Sequence, residues 1–366
     1  MRATFHPRPI ASLRGALAGL ALAIGLVACD GEGTEKLPAL GAKLDATSVS
    51  GVSSGAYMAG QFQFAHSRLV VGAAIVAGGP YGCAESIFAD VMPGPGTAFL
   101  NLGKAINGCM LDALKAFGIP NPQQLAAKAR RLADQDRIDP IERVVASRVY
   151  LFSGKEDRTV VPAIVESAAQ FYTLVGLSAD QIKHVTQIPA GHAFVTDDSG
   201  LACDRSGKPY IVDCDYDQAG ALLAHIYGRL EPRATSAAGA FHKFDQRPFT
   251  HDLVDDGLST AGIVYVPWSC RSQAGCGVHI AFHGCGQSSE SVGESFARES
   301  GFARWADTNR LIVLFPQVAT TAVNPQGCWD WWGYTGREYL TRKAPQILAV
   351  RRMLDQLAGT RAALRH

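Results

Sequence analysis

Residues 70–79 read VVGAAIVAGG, a continuous run of small apolar side chains with no polar alternation. A strand covered on both faces reads this way, and such strands belong to mostly parallel sheets with helices on either side. Five further runs have strand character: 147–154 (SRVYLFSG), 183–191 (KHVTQIPAG), 262–267 (GIVYVP), 278–284 (VHIAFHG) and 311–318 (LIVLFPQV). Helical stretches fall among them, notably 294–308 and 344–358. The alternation predicts an α/β fold with a mostly parallel central sheet and helices on both faces. With 47% hydrophobic and 18% charged residues the chain can bury a sizeable core. No internal repeat or low-complexity tract interrupts it, so residues 43–366 are expected to form a single catalytic domain.

The N-terminus has a different character. Arg2, Arg8 and Arg14 precede the apolar run 15–29 (GALAGLALAIGLVAC), which is short for a membrane span. A basic start followed by a short apolar core is the layout of a secretory signal, here residues 1–28. Leu26-Val27-Ala28-Cys29 resembles the lipobox of bacterial lipoproteins, which implies lipidation of Cys29 and, from Asp30, retention at the inner membrane. Ordinary cleavage near Ala28, with release into the periplasm or medium, is the alternative. Residues 29–42, polar and marked by Gly and Pro, are expected to tether anchor to domain. The formal net charge is +1, or 31 − 33 = −2 once the three arginines of residues 1–28 are removed. Neither value, nor any Lys/Arg run, leaves a footprint for nucleic acid.

Eight cysteines remain beyond Cys29, and an even number in an exported chain reads as disulfides. Zinc is a weaker explanation because no C-x-x-C pair occurs, and no metal or organic cofactor is expected. Pairing neighbours along the chain is the simplest arrangement: Cys83–Cys109, Cys203–Cys214, Cys270–Cys276 and Cys285–Cys328.

The chemistry is concentrated in a few segments. Gly51-Val52-Ser53-Ser54-Gly55 is a G-x-S-x-G pattern between a strand-like and a helix-like run. That context suits a nucleophile turned sharply out of a strand, with the next N–H facing the developing oxyanion. A base and an orienting acid should then follow in the order Ser, Asp, His. Asp157 lies in a loop after the strand candidate 147–154, and His192 in a Gly-containing loop after 183–191. Glu156 is the rival acid. His184 falls inside a strand and His225 inside a helix, where structural roles are expected. Only about two dozen residues separate Cys29 from Ser53, too few for the early strands of an ordinary hydrolase sheet. His283-Gly284-Cys285, at the end of a late strand, has the form of the missing oxyanion segment. The strands 262–267, 278–283 and 311–316 would close the sheet beside the elbow strand, a circular permutation. The N–H groups of Ser54 and Cys285 would then be the oxyanion donors, worth about 3–4 kcal/mol each.

The order G-x-S-S-G-x-Y-M-A, G-x-x-D-x-x-V, G-H, H-G-C-x-Q and GCWDWWGY resembles the poly(3-hydroxybutyrate) depolymerases, in the type with an N-terminal lipase box on a circularly permuted α/β-hydrolase domain. The resemblance runs from about Leu44 through essentially the whole chain. It implies Ser53 as nucleophile, His192 as base, Asp157 as its partner, and an oxyanion role for the His283–Cys285 segment. Ala56 stands where many members have a second glycine. A separate polymer-binding domain, common in extracellular members, is not found, so amorphous polymer or oligomers are the expected substrate. Residues 325–336 (PQGCWDWWGYTG) concentrate Trp329, Trp331, Trp332 and Tyr334. Four aromatics in a Gly-bounded loop are expected to form an exposed apolar surface for a polyester, with Trp329 the foremost contact. Core packing is the competing reading. Two other functions stay open on sequence alone: an exported feruloyl or acetyl-xylan esterase, and a non-catalytic envelope lipoprotein that binds apolar ligands. The oligomeric state is not readable.

Overall fold

The computed structural model describes residues 34–85, 95–111, 120–253 and 256–360, together with residues 1, 4 and 6. The signal segment and Cys29 therefore lie outside the described residues. The described residues from Thr34 onward form one compact unit.

Eleven strands are present among the described residues: β1 (Thr47–Val52), β2 (Val70–Val76), β3 (Arg148–Phe152), β4 (Ile182–Val185), β5 (Phe194–Thr196), β6 (Leu201–Ala202), β7 (Ile211–Asp213), β8 (Ala240–Asp245), β9 (Ala261–Val266), β10 (Gly277–Phe282) and β11 (Leu311–Phe315). Eight of them build the central sheet in the order β4-β3-β2-β1-β10-β11-β9-β8. Pairings from β4 through β11 are parallel, and β9 and β8 complete one edge antiparallel. β5, β7 and β6 form a small separate sheet that sequence patterning did not resolve, because its strands are two or three residues long.

The register of β1 carries the main topological result. It pairs with β2 on one side and with β10 on the other, Gly51 lying opposite Phe282. The late strands thus stand where an ordinary hydrolase chain would place its first ones, as the permuted order predicts. Alternation along β2 explains why its sequence is apolar throughout. Ala73 and Ile75 enter one core with helix α1 (Ser54–Ala65) and the helices Pro162–Val175 and Pro345–Ala358. Ala74 and Val76 enter the opposite core with the helices Gln218–Tyr227 and Phe302–Asn309. Two further helices matter below, α2 (Pro95–Gly108) and α3 (Pro122–Asp134). The expected helix 294–308 is broken in two at Gly301, whose φ of 84° lies in the left-handed region.

One expectation changes here. The tether does not extend to residue 42: Leu37, Leu40 and Ala42 are buried, and the N–H groups of Leu40 and Ala42 both donate to Leu357 O. Apolar side chains spaced along a Gly/Pro-marked segment gain more by covering the C-terminal helix than by remaining in water. The four disulfides, in contrast, join neighbouring cysteines as the simplest pairing had it.

Candidate active site

Ser53 follows the last residue of β1 and precedes the first residue of α1. Its φ and ψ are 57° and −122°, a conformation that costs a non-glycine residue about 1–3 kcal/mol and persists only where the surroundings enforce it. Here they do. Ser53 N–H donates to Val76 O of β2 at 2.9 Å, and Ser53 O accepts from Ala56 N–H at 2.9 Å. The two flanking glycines permit the turn for separate reasons. A Cβ on Gly51 would meet Gly55 O at 2.0 Å, so no side chain fits where the helix folds back on the strand. A Cβ on Gly55 would meet Phe282 O at 2.2 Å and His283 O at 2.4 Å, so only glycine lets α1 lie against the end of β10.

Neighbouring loops leave the same carboxyl edge of the sheet. Ala77 N–H donates to Phe152 O and Ser153 N–H to Val185 O, which continues the ladder past β2 and β3. Asp157 lies in the loop after β3 and is buried, with both carboxylate oxygens occupied. Oδ1 accepts from the N–H groups of Thr159 and Val160 at 2.8 and 2.9 Å, and Oδ2 faces His192 Nδ1 at 2.8 Å. The backbone contacts fix the acid's rotamer, and the acid in turn fixes the imidazole with Nδ1 protonated, leaving Nε2 as the basic nitrogen. His192 is held from behind as well, its own N–H donating to Ser206 Oγ at 2.8 Å. Glu156 points to solvent, with its side chain 49% exposed, which separates the two candidate acids. His184 faces Glu166 from β4, and His225 bonds to Gln181 O, both away from this arrangement.

A second buried Ser–His contact exists in the middle of the sheet. His279 bridges Ser48 Oγ at 2.7 Å and Ser50 Oγ at 2.8 Å across β1 and β10. Burial pushes its imidazole down to about 3. With a hydroxyl on each nitrogen, no carboxylate behind it and no exposed surface, it ties strands together and is not built to take up a proton.

The expected oxyanion segment is adjacent to Ser53. Gly284 sits so close that an added Cβ would lie 3.4 Å from Ser53 Cβ. Among the described residues neither Ser54 N–H nor Cys285 N–H donates a hydrogen bond, which leaves both free for a ligand. His283 requires a correction. Its Nδ1 donates to Gly284 O at 2.8 Å and its Nε2 accepts from Val318 N–H at 3.2 Å, so the ring shapes the loop and has no donor left for an oxyanion. Burial holds it neutral, pushed down to about 4. Gln287, the last residue of H-G-C-x-Q, is a positioning residue that spacing alone did not reveal. Its Oε1 accepts from Gly284 N–H, and its Nε2 donates to Pro209 O and Tyr210 O.

The aromatic loop also departs from expectation. Trp329, Trp331 and Trp332 are 0%, 5% and 7% exposed, and Tyr334 is half-buried. No exposed aromatic platform forms. Trp331 stacks on Tyr57 of α1 with ring centres 4.1 Å apart, and Trp329 packs edge-on against Phe282 at 4.9 Å. The loop closes around Asp330, buried among apolar rings. Its carboxylate accepts from the N–H groups of Gly333, Tyr334 and Thr335 and from Thr335 Oγ1. Burial raises the Asp330 pKa against the pull of those bonds. Trp329 still adjoins the elbow, its backbone N–H donating to Ser54 Oγ at 3.3 Å, while its indole N–H is buried without a partner. Cys285–Cys328 joins this loop to the oxyanion segment.

Known proteins match this fold and sequence. No family profile matches. A poly(3-hydroxybutyrate) depolymerase of Delftia acidovorans is 37% identical over 352 residues, covering 95% of this chain, which spans 66% of that relative's length. A polyhydroxybutyrate depolymerase of Talaromyces funiculosus is 33% identical over 317 residues, covering 82% of this chain and 86% of the relative. The chain belongs to the poly(3-hydroxybutyrate) depolymerase family. Two solved structures of such depolymerases superpose with a TM-score of 0.78, each covering 88% of this chain and 98% of its own. One, 32% identical, is the enzyme of Penicillium funiculosum; the other, 31% identical, is a serine-to-alanine variant complexed with an R3HB trimer. Ser53 in its strained turn and the carboxylate-oriented imidazole of His192 thus leave the same edge of the sheet.

Proposed function

We propose that the protein is a serine esterase that hydrolyses poly(3-hydroxybutyrate), as amorphous polymer or oligomers, to short oligomers and 3-hydroxybutyrate. The observation that carries this reading is the strained Ser53 turn at the same sheet edge as the Asp157–His192 pair, in a chain of this family.

Ser53 Oγ attacks an ester carbonyl while His192 Nε2 takes its proton. Asp157 stabilises the imidazolium that forms. The carbonyl oxygen becomes an oxyanion facing the N–H groups of Ser54, at the start of α1, and Cys285, in the turn that Gln287 braces through Gly284 N–H. Collapse expels the hydroxy-acid alcohol, which receives the proton from His192. Water activated by His192 then frees the acyl group and restores Ser53.

The bond partners of Trp329 support a place for it beside the reacting ester. With its ring fully buried, it supports the elbow from beneath through its backbone N–H bond to Ser54 Oγ, in place of the exposed platform expected from sequence. Four disulfides suit a chain that folds outside a reducing cytosol, in keeping with the export signal and Cys29 anchor read from the sequence. Among the described residues no helix is long and apolar enough to cross a membrane.

Turbidity of amorphous poly(3-hydroxybutyrate) granules tests the reading, with methyl ferulate as parallel substrate. Clearing that vanishes in Ser53→Ala supports it. Ferulate hydrolysis without clearing overturns the substrate assignment and keeps the nucleophile.

A further inference from the structure

A second concave site lies outside the Ser53 arrangement and shares no residue with it. It is a cavity of about 310 Å³ whose wall carries Lys128, Arg131, Arg137 and Arg337 against one carboxylate, Glu85. Its volume falls at the lower end of the range for small-molecule sites. Three chain segments build it, one of them the turn that carries Glu85. α3 and the turn after it bring Lys128, Arg131 and Arg137, and the end of the aromatic loop brings Arg337 and Leu340. The formal charge of the wall is 4 − 1 = +3.

The distribution of partners within the cavity is uneven. Lys128 contacts Glu85, and Arg137 pairs with Glu338 at 3.1 Å. Arg131 and Arg337 have no ion pair and no side-chain hydrogen bond among the described residues. A lone arginine in the last turn of α3 would be explained by the helix dipole, as Arg131 could be by itself. That reading does not cover Arg337, which belongs to no helix and faces the same cavity. Nor does it cover Lys128, which burial, Arg131 and Arg137 together push down to about 7. Cations gathered in one concavity repel each other at close range, and a multiply charged anion relieves the repulsion while using the forked donors of two free guanidinium groups.

We propose that this basic cavity is a binding site for a small, multiply charged oxyanion of the phosphate type, free in solution or as a lipid headgroup. A monovalent hydroxy-acid carboxylate would neutralise only part of the wall, so the site is not suited to the depolymerisation product. The cavity also has a structural route to the elbow helix. Tyr339 O, one residue from Leu340, accepts from Gln61 Nε2 of α1 at 3.1 Å, and Asp330 O accepts from the same group at 2.8 Å. An occupied cavity would brace the loop that carries Trp329.

Inorganic phosphate is the probe. Thermal unfolding of the mature protein is followed against phosphate at constant ionic strength set with sodium chloride, for the parent protein and for Arg131→Gln, Arg337→Gln and the double variant. Binding to phosphatidylcholine vesicles with and without phosphatidic acid forms the second arm. Saturable stabilisation by phosphate is expected, weakened about tenfold by each substitution, the loss of one charge-assisted hydrogen bond. Granule hydrolysis without phosphate should be unchanged in all variants, which shows that they fold. Capture on phosphatidic acid vesicles that is lost in the double variant identifies a lipid headgroup as the source. A phosphate response without vesicle capture identifies a free anion. The proposal is overturned if phosphate stabilises no more than chloride and the vesicles do not bind, or if the double variant responds as the parent does.

Discussion

Two short glycine-bounded loops meet at the carboxyl edge of the sheet, and they handle polarity in opposite ways. The elbow at 51–55 holds a polar side chain in a costly backbone conformation, with glycines on both sides so that nothing blocks it. The loop at 325–336 folds inward around one buried carboxylate and packs three tryptophans beneath the surface. They touch through Trp329 N–H and Ser54 Oγ, and the disulfide Cys285–Cys328 links the second loop to the oxyanion turn. The difference is one of exposure and strain: one loop presents a hydroxyl in a forced turn, and the other is a packed wall that braces it from beneath.

That division predicts effects of different kind on the two sides. On the elbow side, substitutions should remove rate and leave the fold. Ser53→Ala should lower kcat by about 10⁶-fold, and Asp157→Asn by about 10⁴-fold because the imidazole loses its tautomer. Both should unfold within a degree or two of the parent in a thermal scan; a large drop in Tm would place these residues in the wall instead. On the wall side, Trp329→Ala should leave a cavity costing about 3–5 kcal/mol, visible as a lower denaturation midpoint. Trp268, 59% exposed in the short helix that follows β9, supplies the contrast: Trp268→Ala should change stability by no more than about 0.5 kcal/mol. Equal effects of the two tryptophan substitutions would contradict the inward packing.

Opening Cys285–Cys328 by paired Ser substitutions releases a 43-residue separation and should cost about 2–4 kcal/mol, with kcat falling as the Cys285 donor loosens. The remaining effect is set by pH. Burial depresses His279 to about 3 and His283 to about 4, whereas free imidazole titrates near 6.5. The unfolded chain therefore binds more protons in acid. The stability these two groups contribute is fully present above about pH 6.5 and is lost progressively as pH falls toward 4, by about 1.4 kcal/mol per unit for each. Thermal scans between neutrality and pH 4.5 should show that loss, with a shallower slope in His279→Gln.

How far these regions could be read in advance follows from what fixes them. The strands and the elbow are local: an uninterrupted apolar run requires cover on both faces, and Gly51 and Gly55 mark a turn no side chain allows. Asp157 and His192 were legible because each follows a strand in chain order. The aromatic loop was not, since burial of Trp331 and Trp332 depends on Tyr57 from α1 and on Asn101 from α2, which donates to Trp332 O at 2.9 Å. Nothing near residue 330 announces either partner. His283 was misread for a related reason: its Nε2 is occupied by Val318 N–H, from a segment 35 residues away. Residues 29–42 read as a tether because Gly and Pro hid three apolar side chains, Leu37, Leu40 and Ala42, whose cover, the helix Pro345–Ala358, comes from the other end of the chain.

The central claim is that Ser53, and not its neighbour Ser54, is the activated nucleophile. Labelling the mature protein with a fluorophosphonate and mapping the adduct by peptide mass spectrometry tests it most directly. The account predicts a single adduct on Ser53 that disappears in His192→Ala. An adduct on Ser54, or labelling that survives loss of His192, would contradict it.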